Sequence, residues 1–257
     1  MLVSFCLVMN YPRDALPEAY YHITSRGNRK QDIFLSSLDH EYFLHLLKTA
    51  VADYTWRCHS YCLLTNHYHL LIETTNGGLS EGMHLINSGY SGEFNKRHHR
   101  TGHVFQGRYW SRLIKDDSDL LTVVRYTALN PLKAGLTTDP AAWKWSSYNA
   151  LAGRVSSPPF LEESLVRSYF TSPDEDGSGG YRAFIAERIP NALAGDLNHL
   201  PSLEELLSEC PDRERMTRAM SAAHFDFGYW MKDIAAFLGL SPSSVTRGIK
   251  AHRQKRA

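Results

Sequence analysis

The sequence contains no apolar run long enough to cross a membrane, so we expect no membrane span. Its apolar opening is short and has no basic start, which makes a poor signal peptide. It also lacks a GxxxxGK loop followed by Ser or Thr, which excludes a Walker-type site, and we expect no nucleotide cofactor. Residues 1–12 are predicted to be an N-terminal extension, within which translation starts at Met1 or at Met9.

Cysteine is scarce. Cys6, Cys58, Cys62 and Cys210 are scattered, so no disulfide framework is indicated and the chain is expected to be reduced and cytoplasmic. Cys58 and Cys62, with His59 between them, leave a zinc site as an alternative. A buried strand is the better interpretation, because no second cysteine pair follows.

A large net charge is also missing, since 28 basic and 27 acidic residues give a formal net charge of +1. This balance does not indicate a nucleic-acid binder, and the distribution of charge is more informative. Residues 96–115 and the last ten residues contain basic side chains and no acidic one. These two stretches are therefore candidate phosphate contacts or ordinary solvated surfaces.

The chain alternates between strand and helix patterns. Helical spacing of apolar residues predicts three helices, the first capped by Asp39 and the third capped by Asp117 or Ser118 and ending before Pro131. Segments rich in β-branched and aromatic residues predict strands at residues 20–25, 57–64, 67–74 and 108–114. The order predicts an α+β fold, a ferredoxin-like antiparallel sheet with helices, over residues 13–152. A helical connector is expected over residues 153–200, and an all-α C-terminal region over residues 201–257.

His67-Tyr68-His69 is the sharpest local pattern. On a strand, residues i and i+2 point to the same face, so both imidazoles leave the sheet side by side. Two imidazoles in that arrangement are a typical pair of metal ligands, and a rigid strand holds them in a fixed geometry. Because the chain has 13 histidines, such a pattern also arises by chance and needs support from elsewhere.

The helix that carries Tyr126 and Asn130 offers that support. Residues four apart lie on one face of a helix, so both side chains can cover the face that bears His67 and His69. Asn130 would add a ligand oxygen, and mixed imidazole and amide ligation suits Mg²⁺ or Mn²⁺ without excluding other divalent ions. A core tyrosine and a helix-ending asparagine are the alternative roles, and with 14 tyrosines the spacing alone does not select Tyr126.

Several segments together resemble a known family. Residues 65–74 (TNHYHLLIET), 102–109 (GHVFQGRY) and 125–135 (RYTALNPLKAG) are similar to the Y1 transposases of the IS200-like superfamily. The branch they resemble most is that of the REP-associated tyrosine transposases. Residues 21–29 (YHITSRGNR) and 145–148 (WSSY) fit the start and the end of its catalytic domain, so the likeness spans residues 13–152.

This resemblance implies an HUH nuclease domain that cuts and rejoins single-stranded DNA at hairpins of palindromic repeats. By position, His67 and His69 match the HUH pair, Tyr126 matches the nucleophile and Asn130 matches the third metal ligand, which is glutamine in some relatives. Attack of Tyr126 on a phosphate in a metal-dependent step would leave a 5′-phosphotyrosine link and a free 3′-hydroxyl, so rejoining needs no ATP. The resemblance also implies a monomer, and we expect it to be nucleoid-associated.

The C-terminal region contains a second DNA-binding pattern. Residues 231–250 predict two helices around a tight turn at Gly239, with Pro242 starting the second, which is typical of a helix-turn-helix or of an ordinary helix pair. A helix-turn-helix would read the flanking duplex. Tyr109 and Trp110 are predicted either to stack on bases or to pack in the core. The candidate DNA-binding residues are Arg26, Arg29, Lys96, Arg97, Arg100, Arg108, Arg112, Ser243, Ser244, Arg247 and Lys250.

Two other functions remain open. A replication- or conjugation-type HUH nickase usually adds a helicase or a longer chain, which this sequence lacks. A non-catalytic helix-turn-helix DNA-binding regulator derived from a transposase would not need His67, His69 and Tyr126 together. Loss of cleavage with intact DNA binding in a Tyr126→Phe variant separates the enzyme from the regulator.

Overall fold

The computed structural model describes residues 18–172, 176–193, 203–207, 210, 212–225 and 231–254. The chain divides into two compact units, Tyr11–Gly195 and Asp196–Ala257 together with Met1–Asn10. The extension predicted for residues 1–12 lies outside the described residues, and the boundaries predicted at residues 152 and 200 stay predictions. None of the helices in the described part of the chain combines the length and the hydrophobicity of a membrane span.

The first unit is built on a four-stranded antiparallel sheet in the order β2-β3-β1-β4. The strands are Ala19–Arg26 (β1), Trp56–Leu63 (β2), His67–Thr74 (β3) and Trp110–Leu113 (β4). The main helices are Ser37–Asp53 (α1), Leu79–Arg97 (α2) and Asp117–Lys133 (α3). This βαββαβ order with a further helix confirms the predicted mixed fold of an antiparallel sheet with helices.

Shorter helices complete both units. The first unit adds Tyr148–Leu151 (α4), Ser164–Ser168 (α5), Ser178–Ala186 (α6) and Ile189–Leu193 (α7). The second contains Leu203–Leu207 (α8), Arg213–Phe225 (α9), Met231–Leu238 (α10) and Pro242–Gln254 (α11). Helices α6 and α7 pack against α3, where the Arg125 guanidinium lies 3.6 Å from the centroid of the Phe184 ring. The predicted connector is therefore helical over α5, α6 and α7.

One face of the sheet is apolar and packs against α1 and α2. Ile23 and Leu70 are paired across β1 and β3, and both are fully buried. Tyr68 lies beside Phe43 of α1, with ring centroids 4.6 Å apart, and its hydroxyl donates to Asn87 Oδ1 of α2 at 2.7 Å. Burying each large apolar side chain stabilises the fold by about 1.5–3 kcal/mol, so this face holds the main core.

Helix α1 begins earlier than predicted. Ser36 is its N-cap, and Asp39 occupies the third helical position of a capping box, in which each side chain bonds the backbone of the other. Asp39 is fully buried and also accepts from Arg97 Nη1 at 2.8 Å and from His98 Nε2 at 3.0 Å. The carboxylate therefore joins the start of α1 to the end of α2, which local sequence did not reveal.

Helix α3 lies on the opposite face, where it packs against β2 and β3. Its cap is Asp116, not Asp117 or Ser118 as predicted, because the Asp116 side chain accepts from the Asp119 N–H at 2.9 Å. Asp119 in turn pairs with Arg112 of β4 at 2.6 Å. This ion pair fixes the first turn of the helix on the sheet.

The predicted end of α3 before Pro131 is wrong, since the helix continues to Lys133. Pro131 has no backbone N–H, so the helix lacks one hydrogen bond at this position. Gly135, with φ 67, then closes the helix by donating to the Leu132 carbonyl at 3.0 Å, while Leu136 donates to the Pro131 carbonyl at 2.9 Å. Positions 126, 130 and 133 consequently lie on one continuous helix.

The second unit has a small core of its own. Gly239, with φ 64, ends α10, and the Leu240 N–H donates to the Ala235 carbonyl at 2.8 Å. Ser241 then caps α11, its Oγ accepting from the Ser244 N–H at 3.2 Å. The buried apolar residues are Leu207, Met220, Ala223, Ile234, Ala235, Val245 and Ile249. Two helices around a tight turn are present, and a DNA-binding role for them stays a prediction.

Candidate active site

His67 and His69 leave β3 on the face that α3 covers. Cross-strand pairing sets His67 opposite Arg26, and His69 opposite both Thr24 and Cys62. His69 is buried and His67 is partly exposed, and their ring centroids are 5.0 Å apart. The two imidazoles lie side by side, as the alternation of a strand requires.

Helix α3 places Tyr126 and Asn130 over this pair. The Tyr126 ring meets the His69 ring edge-on, with centroids 5.1 Å apart. Asn130 is buried, and its side chain interacts with those of His67 and Tyr126. The structure therefore brings together all four residues that the sequence analysis selected as metal ligands and nucleophile.

Several buried polar atoms around this cluster have no hydrogen-bond partner among the described residues. They are His69 Nε2, Asn130 Nδ2 and Arg26 Nε. A buried polar group without a partner costs about 1–3 kcal/mol. Because His69 Nε2 can offer a lone pair, a cation beside it would replace this cost with a favourable contact.

Burial keeps both imidazoles neutral. It lowers the pKa of His67 to about 4, with a smaller contribution from the positive charge of Arg26 and an opposing one from Asn130. Burial likewise holds the pKa of His69 well below its usual range, assisted by His67 and His22. Neutral imidazole is the metal-binding form, so a metal would displace no proton from these side chains at neutral pH.

The donors fit a divalent cation. Two neutral imidazoles and the amide oxygen of Asn130 form a mixed nitrogen and oxygen set, of the kind that divalent cations bind. In the described ranges, no cluster of three or more His, Cys, Asp or Glu side chains is placed to hold a metal. Among the described residues, the amide side chain beside this histidine pair is that of Asn130, which interacts with His67.

The zinc alternative does not fit the geometry of β2. Cys58 pairs with Ile72 and Cys62 pairs with His69, and the register shifts just after Cys58. Ile72 and His69 lie on opposite faces of β3, so the two thiols also point to opposite faces. One zinc ion cannot bind both, and burial raises the pKa of the Cys58 thiol to about 12.

Lys133 is a site residue that the sequence analysis missed. Its Nζ lies 4.2 Å from the centroid of the Tyr126 ring, and burial lowers the pKa of Lys133 to about 7. Burial raises the pKa of Tyr126, while Asn130 and the charge of Arg26 oppose that shift. The spacing i, i+4, i+7 from Tyr126 is the signal that identifies Lys133 once the helix is known to pass Pro131.

His22 of β1 is the second missed residue. It is buried, and its Nε2 lies 3.1 Å from His69 Nδ1, with ring centroids 5.3 Å apart. Burial lowers the pKa of His22 to about 3, and the charge of Arg112 contributes to the shift. Alternation along β1 from Arg26 and Thr24 places His22 on the same face, which is a signal available in the sequence.

Five of the predicted phosphate contacts are open to solvent to different degrees. Arg29, Lys96, Arg100 and Arg108 are exposed. Arg26 is partly buried at the end of β1 opposite His67, where its charge affects the pKa values of the site. The structure places only Arg26 of this group at the candidate active site.

Two further arginines are already engaged within the fold. Arg97 pairs with the buried Asp39 at 2.8 Å. Arg112 pairs with Asp119 at 2.6 Å, and its side chain is only 10% exposed. A phosphate contact at either position would have to compete with an ion pair that joins two secondary-structure elements. The structure therefore favours a stabilising role for both arginines.

The aromatic candidates for base stacking are partly buried. The Tyr109 hydroxyl lies 3.4 Å from Ser80 Oγ of α2. Trp110 meets the His22 ring edge-on, with centroids 5.8 Å apart. These contacts favour the packing role for both residues, and base stacking stays a prediction.

Residues predicted to bind duplex DNA lie along α11. Ser243 and Arg247 are exposed, and Ser244 is partly exposed. The side chain of Lys250 lies outside the described residues. Val245 and Ile249 are buried, so α11 has an apolar side and a polar side as predicted.

Comparison with known proteins finds similarity to a family model, to a curated protein and to solved structures. Residues 15–129 match the family model described as "Transposase IS200 like", a segment that includes Tyr126 and ends before Asn130. A Haemophilus influenzae protein provisionally named REP-associated tyrosine transposase is 24% identical over 151 residues, which is 54% of this chain and 85% of that protein. A solved structure described as a REP-associated tyrosine transposase bound to a REP hairpin shares 19% identity, with a TM-score of 0.48, over 60% of this chain and 92% of that chain.

Proposed function

We propose, on the premise of the match of residues 15–129 to the IS200-like transposase family, that this chain cuts and rejoins single-stranded DNA at hairpins of palindromic repeats. Tyr126 is the nucleophile, and His67, His69 and Asn130 hold a divalent metal, Mg²⁺ or Mn²⁺. The name of the Haemophilus influenzae relative supports the choice of repeat-derived DNA as substrate. Such a protein would work at the nucleoid, as a monomer.

The observation that carries this proposal is the meeting of α3 and β3. Tyr126 lies against His69, and Asn130 interacts with both Tyr126 and His67. The unpartnered His69 Nε2 in the same place is unfavourable for an ordinary core and suitable for a ligand. A regulator that only binds DNA gains nothing from keeping this cluster buried.

The chemistry follows from the residues of the site. Tyr126 Oη forms a bond to the scissile phosphorus, and the bond from phosphorus to the 3′ oxygen breaks. Lys133 in its neutral form takes up the phenolic proton at Nζ, and a water molecule gives a proton to the leaving 3′ oxygen, which becomes a hydroxyl. When bound, the metal supplies electrostatic stabilisation of the phosphate charge. The DNA remains linked to Tyr126 through its 5′ phosphate, and attack by another 3′-hydroxyl reverses the step.

The C-terminal helix pair supports a second DNA contact. We propose that α11 reads duplex DNA beside the hairpin, with Ser243, Ser244, Arg247 and Lys250 facing the groove. The exposed positions on α11 and its buried Val245 favour this arrangement. The same helix pair favours the second candidate function, a DNA-binding regulator without cleavage activity.

One experiment separates the two functions. Full-length protein is incubated with labelled single-stranded hairpin oligonucleotides from the repeats that flank its gene, with Mn²⁺ or with EDTA. Wild type is compared with Tyr126→Phe and with Tyr68→Phe, a control on the opposite face of the same strand that carries the histidines. We expect a covalent protein–DNA adduct for wild type and Tyr68→Phe with Mn²⁺ only, and none for Tyr126→Phe.

Binding is measured in parallel by gel shift. Retained binding by Tyr126→Phe without adduct assigns the nucleophile. Tight hairpin binding by wild type, with no adduct under any metal, would reject cleavage of these substrates and favour the regulator. If Tyr126→Phe still formed the adduct, the nucleophile would be another residue.

A further inference from the structure

His22 and His69 form a buried pair of histidines beside the proposed metal position. The register sets Thr24 opposite His69 and His22 opposite Leu71, so His22 lies diagonally across from His69 on one face. His22 Nε2 and His69 Nδ1 are 3.1 Å apart, which is a hydrogen-bond distance. One of the two nitrogens must therefore carry the shared hydrogen.

The two possible arrangements have different consequences for His69. If His22 Nε2–H donates, His69 Nδ1 accepts, and a neutral His69 then carries its own hydrogen on Nε2. That N–H would be buried without an acceptor among the described residues, and it could not bind a cation. If His69 Nδ1–H donates, His22 Nε2 accepts, and His69 Nε2 keeps a free lone pair.

We propose that His22 is a positioning residue that selects the metal-binding tautomer of His69 by accepting the hydrogen bond from His69 Nδ1. This inference rests on the proposed function, because it treats His69 as a metal ligand. A ligating histidine commonly donates its second ring N–H to a carboxylate, a backbone carbonyl or a water, and that partner fixes its tautomer and ring orientation. Here a second imidazole takes the place of those acceptors.

His22 is itself held in place on several sides. Trp110 meets its ring edge-on at 5.8 Å, and Tyr126 lies 6.1 Å away between the centroids. Arg112 stands opposite His22 in β4 and is fixed by Asp119 of α3. An imidazole confined in this way offers Nε2 to His69 in a fixed direction, so it can orient the ligand as well as select its tautomer.

The first test reads the tautomer directly in metal-free, full-length protein. Long-range ¹H–¹⁵N correlation spectra of histidine-labelled protein distinguish protonated Nδ1 from protonated Nε2, and a His69→Gln variant identifies the signals of His69. We expect His69 to carry its hydrogen on Nδ1 in wild type and to lose this preference in His22→Phe. A wild-type His69 protonated on Nε2, or an unchanged tautomer in His22→Phe, would overturn the proposal.

The second test measures Mn²⁺ affinity by the electron paramagnetic resonance signal of the free ion. His22→Phe keeps a ring but removes the acceptor, and we expect binding about 10–100-fold weaker. His22→Gln places an amide oxygen near the former Nε2 and is expected to restore most of the affinity. Thr24→Val, on the same strand face, controls for packing. Equal affinity in wild type and His22→Phe, or no rescue by His22→Gln, contradicts the proposed role.

These measurements do not depend on DNA cleavage. If wild type forms no adduct with DNA but shows the expected tautomer and affinities, the cleavage proposal fails and the role of His22 stands. If the adduct forms and the tautomer does not respond to His22, only the role of His22 is rejected. The wild-type spectrum remains decisive even if His22→Phe fails to fold.

Discussion

The two faces of the central sheet are built from alternate residues of the same strands, yet their characters are opposite. Strand β3 gives Tyr68 and Leu70 to the face under α1 and α2, and His67 and His69 to the face under α3. The Tyr68 hydroxyl is bonded to α2, whereas His69 Nε2 has no partner among the described residues. The comparison indicates that the first face stabilises the sheet, while the second maintains an unfavourable arrangement that a ligand can relieve.

The largest expected effect tests this division on two neighbouring residues. Leu70→Ala should lower the free energy of unfolding by about 2–5 kcal/mol, because it opens a cavity in the core. His69→Leu should change it by less than about 1 kcal/mol, since removing the unpartnered Nε2 offsets the lost bond to His22. Urea denaturation of metal-free protein measures both. A loss at His69 as large as at Leu70 would show that the second face is also optimised for stability.

The next effect is the response to metal. Mn²⁺ at about 100 times its Kd should stabilise wild type by about 2.7 kcal/mol, because only the folded chain assembles the ligands. EDTA should reverse the effect. Leu70→Ala should keep this increment and His69→Leu should lose it, which thermal melts with and without Mn²⁺ can show. If Mn²⁺ still stabilised His69→Leu, the metal would have to bind at another site.

A smaller effect concerns the amine buried beside Tyr126. Burial lowers the pKa of Lys133 from 10.5 to about 7 in the folded chain. As pH falls from about 10.5 to about 7, Lys133 is protonated in the unfolded chain but still neutral in the folded chain. The free energy of unfolding therefore decreases over this pH range, and it stays low below about pH 7. Lys133→Met should therefore stabilise the protein by about 1–2 kcal/mol at pH 6 and by less at pH 9.5.

Urea denaturation at the two pH values checks this sign, and Lys48→Met on the exposed side of α1 is the matched control. The control should change stability by less than about 0.5 kcal/mol at both pH values. The adduct assay should show slower cleavage by Lys133→Met despite its greater stability. If Lys133→Met stabilised the protein less at pH 6 than at pH 9.5, the lowered pKa of Lys133 in the folded chain would be contradicted.

The smallest effects are expected at exposed cations away from α3. Lys96→Ala on α2 and Arg108→Ala should each weaken DNA binding and reduce the slope of log affinity against log salt by about one. Cleavage of bound DNA and protein stability should stay as in wild type, because neither residue contacts the site. Titrations over a range of salt concentrations measure the slope. A large fall in the cleavage rate of bound DNA would show that residues on the side of α2 also take part in cleavage.

Much of the fold is accessible from local patterns, and the exceptions have specific causes. Strand alternation predicts β3 correctly because its alternate residues point to opposite faces of the sheet, whatever covers each face. The end of α3 is missed because proline was taken as a stop, whereas a Schellman-type closure at Gly135 allows one more turn. The start of α1 is missed because Asp39 serves as the third residue of a capping box and as the partner of Arg97 and His98, contacts made across elements.

The candidate site divides in the same way. His67, His69, Tyr126 and Asn130 carry local signals, namely spacing on one strand and on one helix, supported by the resemblance to a known family. His22 and Lys133 carry the same periodic signals, but nothing in the sequence says which of many histidines and lysines meet. The neighbouring sequence likewise does not reveal the ion pairs of Arg97 and Arg112. The exposure of a basic side chain therefore cannot be predicted from a run of basic residues.

The sequence by itself determined the order of strands and helices, the shared face of His67 and His69, and the shared face of Tyr126 and Asn130, because backbone periodicity fixes these relations locally. Only the tertiary structure decided that the helix face lies over the strand face, since packing between distant segments depends on the whole core. It also decided that His22 bonds to His69, that Lys133 lies over Tyr126, and that the two thiols of β2 are on opposite faces. Those contacts join residues far apart in the chain or follow from a single shift in register, so no local pattern specifies them.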